Sequence, residues 1–477
     1  MQGRVYAESV FFNSFGHGGG DFTILGEALT WANRLSTIAP SGVKIDLFTA
    51  LSEKSEKSMY KPTVPVKMQS ITQRNCTEFE RIRDYYDSLN RDFSHFACSN
   101  DVCTPMECVK EMVDSVPSAF WRKKNIKVFD SCCGNGNFHA YIATKTSLSN
   151  LYFNEINAKR VRHLKKYFGE RINLTTKDFF AYDDHEQFDM VVSNPPYAKF
   201  TNGKRAAKNH NLARDFIRKA LNITKQGGYV LFIVPNNWMS FSDRNSLPYL
   251  MSKYQFRHLN IHGAKKWFPE IGSSFTWFLL EKTENREPFT VENNYVFRNT
   301  QKVTLAKNAR FIPLYLDDTA QRIIKKVVYN NLSKYAVQTS SNLHKYTKKH
   351  LLHDRQTGEH RFKVRHTPTQ TIWSKVPHKY QSGYKVFLSL TNQFGTFIDD
   401  CGMTQSIAFI RCKNKAEANR IQEELDHPVY KCINNLTRYG NFNNIRVLQN
   451  LAVIGSFSLS KSEERFVEKF NAQYYGD

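Results

Sequence analysis

The chain has 477 residues, 41% of them hydrophobic, which is too long for one ordinary domain and suits two or three. Its 67 Lys and Arg outnumber 44 Asp and Glu for a formal charge of +23, an excess that points to a polyanion, most simply nucleic acid. No apolar run approaches a membrane span and the start lacks a basic-then-apolar leader, so the sequence reads as soluble and intracellular, cytoplasmic or DNA-associated, with no membrane partner.

Residues 1–75 form an N-terminal extension of unknown role. The glycine-rich stretch Ser14–Phe22 has no strand leading into it, as a phosphate loop requires, and reads as a turn. Ser52–Ser58 reads as a solvated loop. The nine cysteines are an odd, irregularly spaced set, which argues against a secreted disulfide framework. Cys98, Cys103 and Cys108 lie near His95, but the spacing lacks the paired short loops of a zinc site, and no metal is expected.

From Thr77 the pattern turns helical in "TEFERIRDYYDSLNRDF". Buried strands are then predicted at Ile126–Asp130, Leu151–Glu155, Ile172–Leu174, Phe188–Ser193 and Gly228–Pro235, with helical stretches such as "ARDFIRKALNIT" between them. "FRHLNIHG" and "FTWFLLEK" add two more strands, up to Lys282. Strands alternating with helices predict an α/β fold with a mostly parallel sheet covered on both faces. The pattern loosens after "EKTENREPFTVENN", so a catalytic domain over 76–283 and a second domain over 284–477 are expected.

Ligands of open α/β sheets bind at the carboxyl ends of the strands. The first strand runs into "FDSCCGNGNF", with Asp130, Gly134 and Gly136; this is not the nicotinamide fingerprint. The second ends at Glu155, placed to accept hydrogen bonds from ribose hydroxyls. The third is followed by "KDFF", where Asp178 and Phe179 could hold an adenine by its amino group and its face. The fourth ends in Asn194-Pro195-Pro196-Tyr197. An amide-like or exocyclic amine is a poor nucleophile because its lone pair is delocalised. An Asn oxygen and a proline carbonyl can both accept from one such NH₂ group, the prolines stiffen the loop, and Tyr197 can stack on a planar base.

These motifs, in this order, resemble the γ-group DNA adenine-N6 methyltransferases, the TaqI-like and Eco57I-like modification enzymes. "CTPMECVKEMV" (Cys103–Val113) is similar to motif X, "FDSCCGNGNF" to motif I, "NEI" to motif II, "KDFF" to motif III, "NPPY" to motif IV and "KKWFPEIGSSFTWFLLEK" (Lys265–Lys282) to motif VIII. The Cys132–Cys133 pair falls where that family varies. The resemblance implies a Rossmann-like S-adenosyl-L-methionine-dependent sheet with a C-terminal target-recognition domain. It implies that Thr104, Pro105, Asp130, Gly134, Gly136, Glu155, Ile156, Asp178 and Phe179 bind the cofactor. Asn194 and Pro195 would hold the target amine beside Pro196, and Tyr197 and Phe268 would stack on the target base, with Phe275 as the fallback. Transfer from a sulfonium to a flipped adenine then needs neither a metal, nor a covalent intermediate, nor a catalytic cysteine.

Residues 342–380 mix basic and aromatic side chains, as phosphate and base contact requires, and Lys348, Lys349 and Arg365 are the candidate DNA-binding residues. "LTRYGNFNN" (Leu436–Asn444) resembles the recognition region of Eco57I-like enzymes. The expected partner is duplex DNA, the expected state a monomer, and any restriction endonuclease partner a separate chain. An RNA or protein (glutamine) amino-methyltransferase using the same Asn-Pro-Pro-Tyr site is the alternative. A nucleic-acid-binding protein with an inactive methyltransferase fold is the third reading.

Overall fold

The computed structural model describes residues 76–91, 103–183, 185–197, 200–201, 204–205, 212–242, 246–268, 274–329, 333–391 and 393–475. The readings made for residues 1–75, for His95 and for Cys98 lie outside them. Among the described residues no helix is long and apolar enough to cross a membrane, and no group of side chains has the makings of a metal site.

Nine strands form one sheet: β1 (Val128–Asp130), β2 (Leu151–Asn154), β3 (Asn173–Thr175), β4 (Phe188–Ser193), β5 (Thr224–Pro235), β6 (Tyr254–Ile261), β7 (Phe275–Glu284), β8 (Phe289–Tyr295) and β9 (Phe297–Val303). Their spatial order is β9-β8-β6-β7-β5-β4-β1-β2-β3. Strands β3, β2, β1, β4 and β5 run parallel, and β7 enters antiparallel between β5 and β6. The order turns back between β1 and β4, and ligand sites of open sheets lie at such a switch point. All seven strands predicted by pattern are present. The last two, β8 and β9, extend the sheet beyond residue 284.

Successive residues of a strand face opposite ways. Val128, Phe153, Met190, Val192 and Leu231 face one buried layer with helices α1 (Cys76–Asn90), α2 (Met106–Asp114), α3 (Asn137–Ile142) and α4 (Ala158–Phe168). Phe129, Val191, Val230 and Phe232 face the other, against α5 (Leu212–Ile223). Burial on both sides is why "FDMVVS" is a nearly unbroken apolar run rather than an alternating one.

The C-terminal part holds two four-stranded sheets. The first comprises β10 (Gln338–Thr339), β14 (Lys385–Ser389), β15 (Thr396–Asp399) and β17 (Ile407–Arg411), and the second β11 (Leu352–His353), β12 (Phe362–Arg365), β13 (Thr371–Ser374) and β16 (Gly402–Met403). A third core from Phe311 to Phe470 packs against the first of them through Val386, Leu388, Ala408 and Ile410, while Val364 and Ile372 of the second sit in a small separate core with Leu343. The chain joins this region to the large sheet by backbone bonds, Leu314 N to Leu436 O at 2.8 Å and Ile312 N to Met239 O at 3.0 Å. Residues 67–477 are one compact unit.

Candidate active site

The carboxyl ends of β1, β2, β3 and β4 bring the predicted residues to one edge of the sheet. The turn after β1 is held by Glu155 from the end of β2. One Glu155 oxygen accepts from Gly134 N at 2.9 Å and the other from Asn157 N at 2.7 Å. Arg160, one turn into α4, lies 4.0 Å from the same carboxylate, and both side chains are buried. Asn157 starts that helix by accepting from Lys159 N and Arg160 N. Asn154 ties three strand ends together: its amide donates to Ser131 O and Lys177 O and accepts from the Thr175 hydroxyl at 2.8 Å.

The two glycines differ. Gly136 (φ 91°) lies where a Cβ would sit 2.6 Å from Phe168 and 2.8 Å from Leu164, so it lets α4 pack against the turn. Gly134 (φ 57°) is less hemmed in: the nearest atom to where a Cβ would sit is Arg160 Nη1, at 4.0 Å. Of the two glycines, Gly134 is therefore the less crowded. Asp130 is 1% exposed; burial, reinforced by the charge of Glu155, pushes its carboxyl up to about 8, while one oxygen accepts from Cys132 N at 3.2 Å. Cys133, and Cys108 in α2, are buried, which raises their thiols and removes nucleophilic character.

Ile156, just past β2, is 73% exposed. Past β3, Asp178 caps a short 3₁₀ turn by accepting from Phe180 N at 2.9 Å. Phe179 is buried and stacks on Phe216 at 4.9 Å, whereas Phe180 is 41% exposed. The structure thus presents Phe180 at the surface beside Asp178 and places Phe179 in the core. Sequence reasoning passed over Phe180, because two adjacent phenylalanines give no sign of which one the turn buries.

At the end of β4, Asn194 is half-buried, Pro195 buried and Pro196 exposed. The Asn194 side chain donates from Nδ2 to Thr104 Oγ1 at 3.0 Å and accepts at Oδ1 from the Tyr197 hydroxyl. Burial raises the Tyr197 phenol and keeps it protonated. Thr104 is buried, and Pro105 begins α2. Tyr197 meets Phe275 at 5.5 Å, and Phe275 meets Phe268 at 5.1 Å, so the three rings form a row with Phe275 in the middle. Phe268 is buried at 4% exposure, and Phe275 at 1%.

In the C-terminal part, Lys348 and Lys349 are exposed in a 3₁₀ turn before β11. Arg365, at the end of β12, is held by Asp399 (2.8 Å) and Thr371 (3.0 Å), and its guanidinium lies 5.5 Å over the Phe397 ring. Lys363 shares Asp399, and the two cations hold that carboxyl well below its usual range. Arg365 also lines an open cavity of about 760 Å³ with Thr391, Gln393, Phe397 and Arg438. Arg438 lies in "LTRYGNFNN" but was not singled out in the sequence, and Gln393 carried no sequence signal.

Residues 74–268 match the family model of the Eco57I restriction-modification methylases. The type II methyltransferase M.HincII of Haemophilus influenzae is 23% identical over 206 residues, covering 40% of this chain and 38% of that protein. M.AccI of Acinetobacter calcoaceticus is 26% identical over 150 residues, 28% of each chain. The chain spans well under half the length of either relative. A DrdV–DNA complex is 10% identical with a TM-score of 0.49, covering 83% of this chain and 58% of that one. The cofactor of this methyltransferase fold is S-adenosyl-L-methionine, and the residue types present suit it: an uncrowded glycine turn at Gly134, a carboxylate at Glu155, and the exposed apolar side chains Ile156 and Phe180. The sheet order, the strand-end residues and the match agree in direction: residues 74–268 are similar to the methylase domain of the Eco57I restriction-modification family.

Proposed function

We propose that the chain is a site-specific DNA adenine-N6 methyltransferase that transfers the methyl group of S-adenosyl-L-methionine to an adenine flipped out of duplex DNA. The observation that carries this reading is the juxtaposition, at neighbouring strand ends, of Asn194-Pro195-Pro196-Tyr197 with Asp130 and Glu155. Asp130 and the turn at Gly134 would lie against the methionine part of the cofactor, with Thr104 and Pro105 behind it. Glu155 would bind the ribose. Ile156 would cover the adenine and Asp178 would accept from its amino group, with the Phe179–Phe180 turn beside the ring. Bound there, the cofactor supplies an electrophilic methyl group on a sulfonium.

The target amine is a weak nucleophile. Asn194 Oδ1 and the Pro195 carbonyl would accept its two hydrogens, localise its lone pair and aim it. Flipping costs a few kcal/mol, and stacking gives back about 1–3 kcal/mol per base. Tyr197 would supply one face. Phe268 would supply the other by turning out of its contact with Phe275. The rate then comes from alignment and fixed hydrogen bonds.

The region 284–477 is proposed as the DNA target-recognition domain. The +23 charge supports this, as do exposed Lys348 and Lys349 and the cavity between Arg365 and Arg438. Methyl transfer from labelled S-adenosyl-L-methionine, with duplex DNA, RNA and protein offered side by side, tests the reading. Label in DNA alone is expected; label in RNA or protein would overturn the substrate.

A further inference from the structure

We propose that Thr104 is a positioning residue for methyl transfer: its hydroxyl sets which end of the Asn194 carboxamide faces the target amine. The inference rests on the functional reading above and gives it a residue 90 positions away in sequence.

A carboxamide is nearly symmetric in shape, but its two ends do opposite things. Only the oxygen can accept from the target NH₂; the nitrogen would present hydrogens to hydrogens. Catalysis therefore needs the group held one way round. In the structure, Asn194 Nδ2 donates to Thr104 Oγ1 at 3.0 Å, while the Tyr197 hydroxyl donates to Oδ1. These two hydroxyls favour that orientation. An alkyl hydroxyl is the better acceptor, and a phenol, whose oxygen lone pair is delocalised into its ring, is the better donor. Amide nitrogen toward Thr104 and oxygen toward Tyr197 is the lower-energy arrangement. Oδ1, turned away from Thr104, is then the end of the carboxamide that the functional reading assigns to the target amine.

Thr104 is itself fixed. It is 3% exposed, so water does not readily replace its hydroxyl. Its carbonyl accepts from Asn137 Nδ2 at 2.8 Å, from the first residue of α3 after the glycine turn, and Pro105 starts α2 immediately behind it. The hydroxyl is thereby built into the backbone that shapes the cofactor side and delivered to the target side.

The test compares Thr104→Val with Thr104→Ser. Thr104→Val keeps the shape and removes the acceptor: kcat at saturating cofactor should fall roughly tenfold to a hundredfold, by a larger factor than any rise in the cofactor Kd read by calorimetry. Thr104→Ser should restore most of kcat. Wild-type kcat in Thr104→Val, an equal loss in Thr104→Ser, or a rise in cofactor Kd that accounts for the loss would overturn the proposal. A second readout does not depend on DNA methylation. With selective ¹⁵N-asparagine labelling, the Asn194 NH₂ signals should shift in Thr104→Val and return in Thr104→Ser. No shift would refute the contact, whereas a shift in a chain that methylates no DNA would refute the functional reading alone.

Discussion

Glu155 Oε2 accepts the Gly134 backbone N–H at 2.9 Å, so the acid at the end of β2 also closes the turn after β1. One carboxylate thus shapes the glycine turn and, through Asn157 N–H, the start of α4. Glu155→Gln replaces one oxygen with an NH₂ that faces either Gly134 N–H or Asn157 N–H, a donor against a donor. Cofactor affinity should fall at least about tenfold by calorimetry. Unchanged affinity would remove Glu155 from the cofactor site.

Asp130 gives the cofactor-free protein a pH dependence whose sign follows from its burial. Its carboxyl is pushed up to about 8, above the ordinary value it has in the unfolded chain. Between about pH 4 and pH 8 the folded state holds a proton that the unfolded state has lost, so this group's contribution to stability falls as pH rises. The Tm drop from pH 5 to pH 8 should be smaller in Asp130→Asn than in wild type. Equal drops in both would show that Asp130 is ionised in the folded protein.

The seven strands were legible because their apolar runs end in residues that cannot continue them, such as Asp130 and Asn194. The clustering at one sheet edge followed from strand alternation alone. Packing decided what was not legible. "KDFF" does not say which phenylalanine is buried, and the 3₁₀ turn capped by Asp178 turns Phe179 inward and leaves Phe180 out. Gly136 reads as ligand-facing in sequence, yet it is required by Phe168 and Leu164 of α4. The bond from Thr104 to Asn194 spans too much sequence for any local pattern to show. In consequence, Phe180→Ala should weaken cofactor binding with little change in Tm, while Phe179→Ala should cost about 3–5 kcal/mol of stability. The reverse result would return Phe179 to the cofactor site.

On the recognition side, Lys348→Ala with Lys349→Ala should weaken duplex binding uniformly across sequences and reduce its salt slope by about two. Arg438→Ala, at the cavity wall, should instead change which sequence is methylated, by about 1–3 kcal/mol at the position it reads. Arg365→Ala should lower stability as well as binding, because it leaves Asp399 with Lys363 as its remaining cation in that cluster. An unchanged salt slope in the double lysine variant would make that turn a solvated surface.

The most direct test of the central claim is the identity of the methylated atom. DNA incubated with the purified chain and S-adenosyl-L-methionine would be digested to nucleosides and resolved by mass, with Asn194→Ala as the control that still binds cofactor. N6-methyladenine, absent with Asn194→Ala, is the predicted result. A methylated cytosine, or N6-methyladenine formed equally by Asn194→Ala, would contradict the account.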